Sequence, residues 1–273
     1  MSFIDDQLLQ FKQLMECSIV TEGAKGKESV IRSSVLINLI HDAVKYEMIQ
    51  AGVNPCKVFP PFGATKPELK LAGFLKQKNQ DICIVPSNIA KISTPINWGP
   101  LAYERQIDDY GFDFTTNSLV INVRSQMSSL AKNFDTLFER TFAESYNLHL
   151  RYPNIVLGEV YLIPVYEYDD DLVKKHTVGF KKRPTNLQKY ISAFQFINNR
   201  VADGKEYAYE RCALLIVDFT QTQPILFRNS AELKSAGYIS QNFEIEYANL
   251  NFQNFARDIL QIYYYRYNFY NLI

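Results

Sequence analysis

The chain has 273 residues, 47% of them hydrophobic and 14% aromatic, which is ample for a real core in one large domain or two small ones. Lysine plus arginine equals aspartate plus glutamate at 29 each, so no bulk basic field advertises nucleic acid, and any DNA-binding face has to be a local patch balanced by acid elsewhere. Cys17, Cys56, Cys83 and Cys212 lie far apart with no CxxC pair, and the chain has only three histidines, which argues against both a zinc site and a disulfide framework.

The opening MSFIDDQLLQ is acidic and amphipathic, unlike a secretory signal, and no window approaches about eighteen consecutive apolar residues; a cytoplasmic protein with no membrane partner is expected. Helical periodicity runs over residues 4–17 and again over 29–50, where Val35, Leu36, Leu39, Ile40, Ala43, Val44 and Tyr46 form an apolar face and Gly52 closes the helix. Between them, residues 21–27 (TEGAKGK) read as a small-residue loop. It is either a solvated connector or a loop that touches phosphate through Lys25 and Lys27. Pro55, Pro60, Pro61 and Gly63 predict an irregular loop over 54–66, and Pro67-Glu68 reads as the first turn of a short helix. Lys76 and Lys78 then precede Asp81 at the head of a strand over 82–85, a carboxylate behind two lysines. Residues 87–111 are loop-like, and Asp108, Asp109 and Asp113 come just before the next strand.

Residues 118–164 are the most informative stretch. The strand SLVINVR (118–124) gives way over Ser125-Gln126-Met127-Ser128-Ser129 to a helix that runs to about residue 150, and the chain returns through IVLGEVYLIP: one βαβ unit. Asn122 and Arg124 share a face of the first strand where it meets the helix start. On the helix, Met127, Leu130, Phe134, Leu137, Phe138 and Leu148 form the apolar stripe, and Lys132, Asp135 and Glu139 point away. Arg140 and Glu144 fall on its flank, either as a solvated i,i+4 ion pair or as groups that reach around toward the sheet edge.

Beyond this unit, residues 166–184 carry the acidic run 169–171 and then Lys174, Lys175, Lys181, Lys182 and Arg183, the pattern of a solvated charged segment. A helix over 185–201 and a strand over 212–219 extend the alternation, so a central mixed sheet with helical cover is expected. From about residue 251, Phe252, Phe255, Ile259, Ile262, Tyr263, Tyr267 and Tyr270 recur at helical spacing, as core packing or as a dimer interface. No interdomain linker is evident, and the chain reads as one domain with an N-terminal helical part (1–66), a core (67–220) and a C-terminal helical part (221–273).

No GxSxG, GxGxxG or GxxxxGK[ST] motif is present, and no organic cofactor is implied. Carboxylates, lysines and an arginine around a βαβ core suit phosphodiester hydrolysis. Two or three acids hold Mg²⁺, and a cation at the end of the central strand meets the developing negative charge. Ser125, Gln126, Ser128 and Ser129 at the helix start are candidate contacts to phosphate or base edges, with one serine as N-cap the alternative; Lys132 and Asn133, one turn on, extend that surface.

An aspartate, then a strand carrying an x-V-K/R triplet, then a helix and a buried strand: this order resembles the PD-(D/E)xK nuclease core, and RSQMSSLAKNFDTLFERTFAE followed by VLGEVYLIP looks like type II restriction endonucleases. The resemblance covers roughly residues 68–164. It implies an α/β fold with a restriction-endonuclease-like core, additional helices at both termini, and a Mg²⁺-dependent enzyme that cuts double-stranded DNA as a homodimer. In the triplet, Asn122 stands in the acid position and Arg124 in the lysine position. Arginine stays protonated and cannot act as a general base, but it can hold phosphate. Either the missing carboxylate comes from the following helix, at Glu144 or Glu139, or the site is differently placed, or the chain is an inactive relative, a DNA-binding or interaction module on the same fold. Asp81 with Glu68 are the first choice of metal acids, Asp113 is the second candidate, and Lys78 joins Asp81, Arg124 and Glu144 in the expected catalytic set.

Overall fold

The computed structural model describes residues 2–201 and 204–273, the side chains of residues 269 and 270 excepted; the side chain of Tyr270, part of the expected C-terminal stripe, therefore lies outside what is described. Helix α1 (Phe3–Arg32) starts where the Asp5 carboxylate accepts the backbone N–H and the hydroxyl of Ser2, at 3.0 and 2.7 Å. Ile4, Leu8, Phe11, Met15 and Ile19 recur at helical spacing and are all buried.

The expected loop over 21–27 is not a loop. Helix α1 continues through it with a kink at Gly23 (φ 60°, ψ −131°) and ends only at Ser33, so the break expected there falls just before α2 (Val35–Gln50). The two glycines that suggested a loop allow the kink. Gly23 supplies the positive φ, and a Cβ at Gly26 would lie 2.1 Å from the Ser18 carbonyl oxygen. Tertiary contact makes the bend worth keeping, because Lys27 is carried inward to an ion pair with Asp170 at 2.8 Å.

After a short edge strand β1 (Val58–Phe59) the chain forms a hairpin of β2 (Lys70–Ala72) and β3 (Gln77–Asn79). The helix expected at Pro67-Glu68 is absent. Leu69 and Leu71 are buried with Lys70 exposed between them, and that period of two selects a strand. Strand β4 (Ile82–Ile84) follows. The loop-like region then holds the small pair β5 (Thr94–Pro95) and β6 (Ile107–Asp108), with the one-turn helix α3 (Pro100–Tyr103) between them and α4 (Phe112–Thr116) after them.

The βαβ unit consists of β7 (Leu119–Ser125), α5 (Leu130–His149) and β8 (Val156–Pro164). Helix α6 (Asp170–Lys174) and α7 (Leu187–Ile197) come next. Helix α7 is shorter than expected because Asn198 leaves the helix to accept the Cys212 amide at 2.7 Å. Strands β9 (Arg211–Asp218) and β10 (Ile225–Leu226), α8 (Ser230–Ser235) and α9 (Phe252–Arg266) complete the chain.

Six strands make one mixed sheet in the order β1-β4-β7-β8-β9-β10. Its centre, β7-β8-β9, is parallel; β1, β4 and β10 run antiparallel to their neighbours. Strands β8 and β9 are buried along their whole lengths, which is why they read as near-continuous apolar runs. One face packs on α1, α2 and α9 through residues such as Ile121, Val160 and Leu215. The other packs on α5 and α7 through Val120, Leu157 and Leu214. On α9, Phe252, Phe255, Ile259 and Tyr263 are core residues. Among the described residues no helix is long and apolar enough to cross a membrane.

Candidate functional site

Strand pairing builds the site. The register that sets Ile82 opposite Ile121 carries Asp81 alongside the end of β7, where its Oδ2 accepts the Val123 amide at 3.0 Å. Alternation along β7 turns Val120, Asn122 and Arg124 to the α5 face. The parallel pairing of β7 with β8 then sets Asn122 opposite Glu159.

Arg124 is the hub of the group. Its Nε donates to Glu159 Oε1 at 2.7 Å and its Nη2 donates to Glu144 Oε2. Glu144 comes from α5, and the same oxygen accepts from Lys78 Nζ of the β2–β3 hairpin at 2.7 Å, while Arg140 reaches its Oε1 at 3.3 Å. Glu144 thus belongs both to the i,i+4 pair read from the helix and to the sheet edge. Its side chain is 4% exposed, while that of Arg140 is 62% exposed, so the pair is buried at one end only. Lys78, Asp81, Arg124, Ser125, Arg140 and Glu144 line a cleft of about 340 Å³.

Electrostatics follow from burial. Burial raises the pKa of Glu144, but Arg124 and Lys78 outweigh it and hold the carboxyl below its ordinary value. Burial opposes the charge on Arg124, and Glu159, Tyr209, Glu144 and Asp81 together more than offset it, so its pKa is raised and it stays a cation. Glu159 has 0% exposure; burial, with Glu144 and Asp81 adding to it, outweighs its partner Arg124 and pushes its carboxyl up to about 7. Among the described residues, two buried acceptor atoms of this group have no hydrogen-bond partner, Glu159 Oε2 and Asn122 Oδ1.

The structure brings Lys78, Asp81, Arg124 and Glu144 together and leaves others apart. Glu68 lies just before the hairpin, bonded to Lys66 at 2.7 Å and to Asn79 of β3 at 2.9 Å. Asp113 is exposed in the first turn of α4 and lines a separate cleft with Asn88 and Tyr110. Glu139 is exposed on α5. Lys25 is exposed on α1, whereas Lys27 is buried against Asp170. Gln126 is buried, its Oε1 accepting the hydroxyls of Tyr161 and Tyr190 at 3.1 and 2.8 Å, so it braces the turn and presents nothing to a ligand. Ser125 is the last residue of β7, residues 126–129 connect it to α5, and Ser129 occupies the N-cap position in a left-handed conformation with no side-chain cap bond. Ser128 and Ser129 line a third cleft of about 550 Å³ with Lys27, Arg32 and Lys174, and Lys132 and Asn133 are exposed beside it.

Among the described residues no three histidine, cysteine or carboxylate side chains converge on one point. Mg²⁺ does not require that, since it binds through one or two carboxylates with water and substrate phosphate completing its shell. Asp81, which forms no ion pair among the described residues, and Glu144 fit that donor set, because both line the cleft. Glu159 is the member that sequence reasoning missed. Its signal was present as the one charge inside VLGEVYLIP, a run otherwise apolar enough to be buried on both faces. Comparison of the chain with known protein families, with curated proteins and with solved structures finds no match.

Proposed function

We propose that the chain is a divalent-metal-dependent endonuclease of the type II restriction class, acting on double-stranded DNA in the cytoplasm as a homodimer, with a restriction-endonuclease-like core. The observation that carries the reading is the convergence, on one cleft, of an acid at the head of β4 (Asp81), a cation at the end of β7 (Arg124) and an acid and a lysine from flanking elements (Glu144 and Lys78). The element order behind it is a helix, the strands β1, β4 and β7 of one antiparallel run, the helix α5 and the parallel strand β8.

In this reading Arg124 and Lys78 receive the scissile phosphate, exchanging part of their contact with Glu144 for phosphate oxygens. Asp81 and Glu144 are the groups that would hold Mg²⁺. The ion, when bound, supplies charge neutralisation and an acidified attacking water. The basic and hydroxyl groups of the neighbouring cleft, Arg32, Ser128, Ser129 and Lys174, continue the track along the DNA backbone, with Lys25, Lys132 and Asn133 at its margin.

A second reading, a DNA-binding or interaction module that has lost hydrolysis, is favoured by one observation: Arg124 and Glu144 are already paired with each other, and Asn122 brings no charge to the site. Incubating the purified protein with mixed-sequence plasmid or phage DNA, with Mg²⁺ and with EDTA, decides between them. Discrete fragments that require Mg²⁺ support the nuclease. No cleavage with a retained gel shift supports the module, and neither cleavage nor binding overturns both.

A further inference from the structure

Asn122 and Glu159 are register partners on adjacent parallel strands, whose axes lie about 4.8 Å apart, and both side chains face α5. Asn122 is 2% exposed and Glu159 0%. The orientation of the amide is set by Tyr209, whose hydroxyl gives its proton to the Thr141 carbonyl at 2.9 Å and can therefore only accept from Asn122 Nδ2, at 3.4 Å. Asn122 Oδ1 is left as an acceptor and so is Glu159 Oε2 on its register partner, and neither has a donor among the described residues. Two unpartnered buried acceptors on paired residues carry a large desolvation cost, and a single proton between them removes it for both.

We propose that Glu159 is held as the neutral acid, with its Oε2–H donated to Asn122 Oδ1, and that in this state it positions Arg124 for a phosphate ligand. Asn122 stands in the triplet because an amide oxygen accepts that proton without adding a charge; an aspartate there would set a second carboxylate against the first. The groups facing Glu159 agree with a shared proton. Arg124 from β7 attracts its anion; Glu144 from α5 and Asp81 from the head of β4 repel it; Tyr161 of its own strand, Tyr209 before β9 and Cys212 on β9 stay neutral, their pKa values raised chiefly by burial. The balance, dominated by burial, sets the carboxyl at about 7.

Resting on the nuclease reading, the consequence concerns Arg124. With Glu159 neutral, Glu144 is, among the described residues, the only full negative charge in contact with the guanidinium, which keeps a surplus of attraction for phosphate. Once Glu159 ionises, Arg124 sits between two carboxylates and its hold on phosphate weakens, by up to about tenfold per pH unit above the midpoint, the limit for one linked proton.

Infrared spectra of wild type minus Glu159→Gln test the protonation without any DNA. A carboxylic-acid carbonyl band is expected at about pH 6 and largely gone by about pH 8, and it should shift to higher frequency in Asn122→Leu, where the acceptor is removed. Carboxyl-labelled glutamate followed by NMR in the wild type reads the same titration if a variant does not fold. Absence of a titrating neutral carboxyl near pH 7 overturns the proposal, and an unshifted band in Asn122→Leu overturns Asn122 as the acceptor. A short duplex in a metal-free gel shift reads the positioning half: wild-type affinity should fall as pH rises through 7, while Glu159→Gln, whose amide mimics the protonated acid, should bind as wild type does at low pH and show no such fall. A pH-independent wild-type affinity, with the band titrating, overturns the positioning role and leaves the shared proton standing.

Discussion

Lys78 and Glu144, sixty-six residues apart in the chain, meet at 2.7 Å at the mouth of the cleft and tie the β2–β3 hairpin to helix α5. Glu144 also holds Arg124, so this pair couples the placement of the hairpin to the placement of the central cation. Glu144→Ala would leave Lys78 and Arg124 partly unpaired in a buried site and is expected to cost about 3 kcal/mol. Lys78→Ala, at the more exposed end, is expected to cost about 1 kcal/mol. Urea denaturation of the two single variants and the double variant measures both and their coupling, and strict additivity would show that the pair is energetically silent.

Asp81 and Arg124 divide the work of the proposed site. Asp81→Ala should abolish Mg²⁺-dependent cutting while DNA binding stays largely intact, because the residue makes no ion pair among the described residues and its loss removes one backbone hydrogen bond. Arg124→Ala should impair both. Arg124→Lys keeps the charge and limits the structural damage, yet loses the two-pronged contact, and should lower the cutting rate by about 10²-fold. Gel cleavage and gel shift on the same preparations separate the two effects; unchanged cutting by Asp81→Ala would move the metal acid elsewhere.

Acid should unfold the protein through Glu210. This buried carboxylate accepts from Leu157 N at 2.8 Å, Arg266 at 2.8 Å, Arg200 at 3.0 Å and His149 at 3.2 Å. Burial raises its pKa, and His149, Arg266 and the Leu157 amide more than reverse that, down to about 2. A folded-state pKa below the unfolded value of 4.5 means the stabilisation is present above pH 4.5 and is lost as pH falls toward about 2. It amounts to about 3 kcal/mol at most. Glu210→Gln should flatten the acid limb of a stability-versus-pH curve between these values; an unchanged limb would assign acid lability to other groups.

The kink in α1 gives a fourth test. A Cβ at Gly26 would meet the Ser18 carbonyl at 2.1 Å, which is backbone and cannot swing aside. Gly26→Ala should therefore destabilise by about 1–3 kcal/mol despite alanine's better helix propensity. Gly23→Ala meets a positive φ of 60° and should lose about 1 kcal/mol or more. Thermal melts suffice, and a stabilised Gly26→Ala would show that the helix straightens at no cost.

The βαβ unit, the apolar stripe of α5 and the shared face of Asn122 and Arg124 were legible in the amino-acid sequence because each depends on a local period, two residues for a strand and 3.6 for a helix. The same local signals misplaced residues 21–27, where two glycines serve a kink and a close approach that exist only against Ser18 and α6. Local order also could not say which acids meet Arg124. Asp113 lies nine residues before Asn122 in the chain and ends in another cleft, while Asp81 arrives by the antiparallel β4–β7 register and Glu159 by the parallel β7–β8 register. Which groups share a site was decided by strand pairing and by the packing of α5 on the sheet. A side chain's charge and period are written locally, and its neighbours across a sheet depend on backbone hydrogen bonds between segments tens of residues apart.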